Sequence, residues 1–418
     1  MTVPGTFDTS ARELIHAGLQ NLDEARSLFR QLSASGFDAA RCGLLLDALQ
    51  HVCDPDVALR NLVDIVNAQV SQGRALDDIM PDDTAFRQLV AVLGVSDAMG
   101  KLMRFRPDLV QAAATDHCNS HLYNHDQRRA HVLESVGADP NDRMSPTATM
   151  DLADAATALR RTYRNQLAAI IAQDTMSDDP IALQPRISSE LSDLADAALE
   201  GALAIARHEI AGSEHCRFGM GKLGARELNY VSDVDLIYVV KAADADTSQQ
   251  QLYRIGTKMG TMLQRVCQSV IMGVAEPALW QIDGGLRPEG KDGSLVRTLE
   301  SHQAYYEKWA QNWEFQALLK ARPVAGDPQI GDAYMSMTRP MVWSASKRKN
   351  FVYDCQQMRK RVEDLIAPAL KDREIKLGRG GLRDVEFTVQ MLQLVHGRTD
   401  ETLRASATLE SLRRLSEG

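Results

Sequence analysis

The chain has 418 residues, 44% of them hydrophobic and 25% charged, with a formal net charge of −9. This suits a soluble globular protein of two or three packed units and argues against a duplex nucleic-acid binder, whose phosphate contacts need a broad basic surface. The amino terminus, MTVPGTFDTSARELI, has neither a basic nor an apolar leader region, and no stretch reaches the length of a membrane span, so a cytoplasmic protein is expected. The cysteines at positions 42, 53, 118, 216, 267 and 355 show no C-x-x-C or histidine pairing of zinc type and read as buried reduced thiols.

In chain order, residues from Thr9 to about Ala112 carry short amphipathic patterns such as Ala11-Leu14-Ile15-Leu19 and Leu44-Leu45-Leu46-Leu49. Gly36, Pro55, Gly73 and Pro81 break them, which predicts a helical array. Asp82-Asp83-Thr84 and Ser96-Asp97 are expected to cap two of its helices. Residues 137–145, with Pro140, Asn141 and Asp142, read as a linker before a helix at 148–172. A break near 177–185 then leads into a helix at 188–211.

The chemistry concentrates between Phe218 and Val240, FGMGKLGARELNYVSDVDLIYVV. Gly219, Gly221 and Lys222 suit a tight turn that lets a triphosphate approach the backbone. It is not a Walker A loop, because Leu223 follows the lysine. Ser232 precedes Asp233 and Asp235, which strand alternation puts on one face while Val234, Leu236 and Ile237 face the core. Two such carboxylates repel unless a divalent cation, Mg²⁺ or Mn²⁺, sits between them. Ordinary turn glycines and a strand-end aspartate pair are the plain alternatives. A third acid, Asp283, lies in the alternating segment 279–283 after an amphipathic stretch at 249–271, where a neighbouring strand would present it to the same cations. Arg287, four residues on, could fork phosphate oxygens. As an alternative, Asp283 reads as a turn residue before Gly284-Gly285.

Beyond these strands, residues 299–322 have the length of one helix, with Trp309 and Trp313 expected in its core. A long helix is predicted at 344–367. Lys347-Arg348-Lys349 reads as a solvated face. The turn Gly378-Arg379-Gly380-Gly381, next to Lys376 and Arg383, opens another helix and could form a nest of backbone donors for an anion. Surface pairs are the alternative for its charges.

Four blocks, GMGKLGARELNYVSDVDLIYVV, IDGGLRPEGKDGSLV, YYEKWAQNWEFQALLKARPVAGD and REIKLGRGGLRDVEFTVQMLQLVHGR, resemble successive segments of the bacterial glutamine synthetase adenylyltransferase/adenylyl-removing enzymes. They run in the family order from Phe218 to Arg398. The one visible departure is Ala225, where the family often has a second glycine. The resemblance implies an α+β fold: a DNA polymerase beta-like nucleotidyltransferase core, a small mixed sheet with helices, at residues 188–325. An amino-terminal helical region (1–187) and a carboxy-terminal helical bundle (326–418) would flank it. It puts Lys320 and Arg322 near nucleotide phosphates, the alternative being cations favoured by a helix C-terminus, and it makes the attacking orthophosphate the anion for Lys376 and Arg383. The form of residues 375–387 resembles the amino-terminal, adenylyl-removing half of a bifunctional parent. The implied reaction removes AMP from a tyrosine of glutamine synthetase by phosphorolysis and yields ADP. Implied partners are glutamine synthetase, the PII signalling protein, phosphate and ADP or ATP, without nucleic acid or membrane. ATP-dependent adenylylation of the same tyrosine and a non-catalytic PII-binding module are the alternatives. The carboxy terminus lacks a stop signal such as a capped helix, so a piece of a longer chain is expected.

Overall fold

The computed structural model describes residues 9–114, 123–222, 224–371 and 373–417; Cys118 lies outside them. The chain divides by packing into two compact units, Met1–Asn124 with Arg161–Glu190 and His125–Arg160 with Leu191–Gly418. This division differs from the three expected regions in grouping the sheet with the carboxy-terminal helices.

The first unit contains α1 (Ala11–His16), α2 (Leu22–Ala34), α3 (Ala39–Leu49), α4 (Pro55–Ser71), α5 (Leu76–Ile79), α6 (Asp83–Val95), α7 (Asp97–Met103) and α8 (Pro107–Ala114). The Asp82 carboxylate accepts the Ala85 N–H at 2.8 Å and the Ser96 hydroxyl accepts that of Met99 at 3.2 Å, so both expected caps are present. Phe29, Leu45, Leu59, Ile65, Leu89 and Val92 are fully buried in this unit's core. There follow α9 (His125–Ser135), α10 (Leu152–Thr175) and α11 (Pro180–Glu209), of which α10 and α11 contribute residues to both units. α11 begins well before the expected position and runs through Pro185. The Asp179 carboxylate caps its start by accepting the Ala182 N–H at 3.0 Å, which confines the break to the few residues after α10.

The second unit is built on a five-stranded mixed sheet: β1 (Cys216–Lys222), β2 (Val234–Ala242), β3 (Ile282–Asp283), β4 (Val296–Arg297) and β5 (Pro323–Gly326). The order is β3-β2-β1-β5. β1 pairs antiparallel with β2 and β5, while β3 and β4 both pair parallel with β2. α12 (Gln249–Gln268) covers one face, where its Gly256 approaches Val240 and its Gln264 bonds the Tyr238 hydroxyl. The other face, through Ile237 and Val239, joins a core with Tyr305, Tyr306, Phe315, Ile330 and Tyr334. These come from α13 (Leu299–Lys308), α14 (Asn312–Leu318) and α15 (Pro328–Ser344). Burial on both faces explains why β2 reads as a continuous apolar run. The unit ends in α16 (Phe351–Asp364), α17 (Leu382–His396) and α18 (Thr408–Glu417).

Several local expectations are corrected. Residues 299–322 are not one helix: the Glu314 carboxylate captures the Gln311 N–H at 2.8 Å and the Tyr305 hydroxyl at 3.0 Å, which starts α14 as a separate helix. Trp309, left at the break, is 70% exposed rather than core, and Trp313 is half-buried. The helix expected at 344–367 is instead the end of α15 and α16, separated where Asn350 turns left-handed at φ +58°. Cys42, Cys216, Cys267 and Cys355 are buried free thiols, but Cys53 is exposed. Among the described residues no helix is long and apolar enough to cross a membrane.

Candidate functional site

The acidic positions meet at the entrance of β2. Asp233 is the residue before the strand, and Asp235 lies directly opposite Asp283 in the parallel β2–β3 register. Neighbouring strands run about 4.8 Å apart, so these two side chains share one side of the sheet as nearest neighbours. Asp235 is half-buried while Asp233 and Asp283 are exposed. The backbone N–H of Gly285 fixes Asp283 by donating to its Oδ1 at 2.6 Å, and the Ser232 hydroxyl donates to Asn229 Oδ1 at 2.9 Å. Three carboxylates without histidine or cysteine are a hard oxygen donor set, which fits Mg²⁺ or Mn²⁺ better than softer metals.

Among the described residues a tighter cluster lies elsewhere: ligand atoms of His125, Asp193 and Asp196 fall within 4.8 Å of one another, a closeness that Asp233, Asp235 and Asp283 do not reach together. The tighter one is already neutralised. Arg226 bonds Asp193 at 2.5 Å, and Arg322 grips Asp196 with two bonds of 2.5 and 2.9 Å. Burial pushes the Asp196 carboxyl up to about 6 against the pull of Arg322. We read it as an ion-pair network, one that local sequence patterning had no means of finding.

Most of the other expected site residues have their own places and partners in the fold. Gly219 and Gly221 lie inside β1, not in a turn, each paired with β2. The lack of side chains serves packing: a Cβ at Gly219 would stand 2.8 Å from Ile330 Cγ2 on α15, and one at Gly221 would stand 3.3 Å from the Arg322 carbonyl oxygen. Lys222 ends β1, and its side chain lies outside the described residues. The three ammonium donors of Lys320 are all spent, on Glu386 at 2.8 Å, the Thr408 hydroxyl at 2.9 Å and Glu227 at 3.0 Å. Arg322 is committed to Asp196. Both cations are thus held by carboxylates of the fold.

Arg287 donates to three carbonyls of its own loop, those of Gly284 at 2.8 Å, Lys291 at 3.0 Å and Gly293 at 3.1 Å, so it shapes the turn after Asp283. The glycine turn before α17 is not an open nest. Glu374 accepts the N–H groups of Lys376 and Leu377, Asp384 accepts that of Gly380 at 2.6 Å, and carbonyls within the turn take those of Gly378, Gly381, Leu382 and Arg383. Lys376 is exposed, and Arg383 pairs with Glu386 at 2.9 Å. Sequence reading passed over Glu227, and only its distant partners mark it.

Residues 86–337 match the family model of glutamate-ammonia ligase adenylyltransferase, and residues 355–418 match that of GlnD PII-uridylyltransferase. A bifunctional glutamine synthetase adenylyltransferase/adenylyl-removing enzyme of Bifidobacterium longum (strain DJO10A) is 73% identical over 415 residues, covering 99% of this chain and 39% of that protein. Proteins of the same name are 40% identical in Cutibacterium acnes, over 97% of this chain and 41% of that protein, and in Streptomyces coelicolor, over 99% and 40%. The chain thus spans about two fifths of the length of the curated relatives it matches. With more than half its length, including the whole sheet, inside the first match, the chain belongs to the glutamate-ammonia ligase adenylyltransferase family.

Proposed function

We propose that this chain removes AMP from an adenylylated tyrosine of glutamine synthetase by phosphorolysis, on a DNA polymerase beta-like nucleotidyltransferase core. The observation that carries the reading is the register of Asp235 with Asp283, two residues on from Asp233, at the open end of a mixed sheet. Asp233, Asp235 and Asp283 would hold Mg²⁺ or Mn²⁺, which when bound offsets the repulsion between two phosphates and eases departure of the phenolate. An oxygen of inorganic phosphate attacks the AMP phosphorus, the bond from phosphorus to the tyrosine oxygen breaks, and the phenolate takes up a proton. The products are ADP and unmodified tyrosine. Tyrosine, with an ordinary pKa of about 10, is a tolerable leaving group, so no dedicated general acid is required. The chain's own part is to position the reactants, with Ser232 and Arg287 ordering the segments on either side of the acids. Support for removal rather than addition comes from residues 375–387, whose form resembles the adenylyl-removing half. Similarity of residues 355–418 to a PII-uridylyltransferase supports PII as the regulatory partner.

The test is direct. Incubation with adenylylated glutamine synthetase, Mg²⁺ and phosphate is expected to release ADP in proportion to phosphate. Release of AMP without phosphate would mean hydrolysis, and efficient labelling of unmodified synthetase from ATP would mean the reverse reaction; either refutes the proposal.

A further inference from the structure

We propose that Glu227, Lys320 and Glu386 form a latch that makes the position of Asp233 depend on the helix pair α17–α18. The proposal rests on the reading of Asp233 as a metal-holding residue. Asp233 ends the connection from β1 to β2, and that connection is unusual: Ala225 and Arg226 are both left-handed, at φ +55° and +57°. Residues with side chains hold such conformations only where their surroundings over-determine them. Here the surroundings are specific. The Lys320 carbonyl accepts the Ala225 N–H at 3.3 Å, Arg226 is tied to Asp193, and the Ser192 hydroxyl accepts the Leu228 N–H at 3.3 Å.

Glu227 supplies the connection to the carboxy-terminal helices. One oxygen accepts the backbone N–H of Thr408, the first residue of α18, at 2.6 Å, and the other takes the Lys320 ammonium at 3.0 Å and the Thr408 hydroxyl at 3.1 Å. The carboxylate therefore caps α18 from a distant part of the chain, where the helix dipole favours negative charge. Lys320, only 14% exposed at its side chain, bridges onward to Glu386 of α17 at 2.8 Å. Glu386 is fixed in turn by Arg383 at 2.9 Å and by Gln390 at 3.1 Å. One half-buried ammonium between two carboxylates thus joins the strained connection, the end of α14 and both terminal helices. Shifting α17 or α18 removes partners from Glu227, six residues before Asp233. These are positioning residues, since none of them touches the reacting atoms.

The test uses the whole chain without substrate. Amide hydrogen exchange is followed over residues 224–233, and Mn²⁺ alone is titrated by the loss of its free spin-resonance signal. Glu227→Gln and Glu386→Gln are each expected to speed exchange of that segment about tenfold, equivalent to about 1.4 kcal/mol. Each should also raise the Mn²⁺ concentration for half-saturation several-fold, with the melting temperature nearly unchanged. The double variant should be no worse than either single one, and Glu227→Asp should restore part of the effect. Wild-type exchange in Glu386→Gln overturns the latch, as does faster exchange with unaltered Mn²⁺ affinity. A wild-type chain that binds no Mn²⁺ refutes the metal reading instead, and the exchange data then decide the latch alone.

Discussion

His302 offers a quantitative test of how the core behind the acidic strands responds to acid. It lies on α13 with 1% exposure, stacked on Tyr306 at a centroid distance of 5.9 Å and edge-on to Tyr334 at 5.3 Å. Nε2 stands 3.4 Å from the Tyr238 carbonyl of β2, and Nδ1 is buried with no partner among the described residues. Burial, reinforced by the charge of Arg297, brings its pKa down to about 4, although the Tyr238 carbonyl favours the charged ring. Because the folded value lies below the ordinary 6.5, the unfolded chain takes up the proton first. Stability is therefore complete above 6.5 and drains away as the pH falls toward 4. Between about pH 7.5 and about pH 4.5 the loss attributable to this one ring is about 2 to 3 kcal/mol. His302→Phe keeps the ring contacts and cannot protonate. In urea denaturation followed by tryptophan fluorescence, which reports the second unit because Trp280, Trp309, Trp313 and Trp343 all lie there, the variant should lose that much less stability over this range than wild type. Parallel pH profiles for the two proteins would show that the folded ring is already protonated or solvated, and the reasoning would fail.

Replacing Asp233, Asp235 or Asp283 by Asn should cut phosphorolysis on the order of a thousandfold while leaving the melting temperature within a few degrees; more than about a tenth of the wild-type rate in all three would remove them from the site. Arg322→Leu leaves Asp196, only 2% exposed at its side chain, without its main counter-charge and should cost about 3 to 5 kcal/mol in urea denaturation. Adding Asp196→Leu should recover most of that loss, and no recovery would mean that Arg322 acts through packing alone. Gly219→Ala should destabilise by about 1 to 3 kcal/mol, because the new methyl meets Ile330 of α15. An unchanged denaturation midpoint would show that α15 can move aside.

The meeting of Asp235 with Asp283 was legible because strand alternation and a short apolar segment are local signals, and a parallel neighbour needs only an intervening helix, here α12. The helical first unit was readable for the same reason, whereas the mixed sheet was expected only from the family resemblance. What local pattern missed was decided by distant partners. Lys320 and Arg322 look alike as cations after a helix, yet Lys320 meets Glu227 93 residues away and Arg322 meets Asp196 126 residues away. G-x-G suits a turn and a close-packed strand equally well, and only Ile330 on α15 distinguishes them. The helix break at Trp309 depended on one side chain, Glu314, outcompeting helical continuation for the Gln311 N–H.

The outer edge of β2 is covered by two short rungs, Val234–Asp235 against Ile282–Asp283 and Tyr238–Val239 against Val296–Arg297, with the Arg287-bound loop leaving the sheet between them. The opposite edge strand, β5, is four residues long and begins with a proline, which has no N–H to offer. A foreign strand approaching either side therefore finds no continuous ladder to extend, although β2, VDLIYVVKA, is long and apolar enough to aggregate if bared. On one flank that protection comes from the same interruption that brings Asp283 beside Asp235, so straightening the loop to strengthen the edge would both move Asp283 from its place beside Asp235 and open the sheet to self-association.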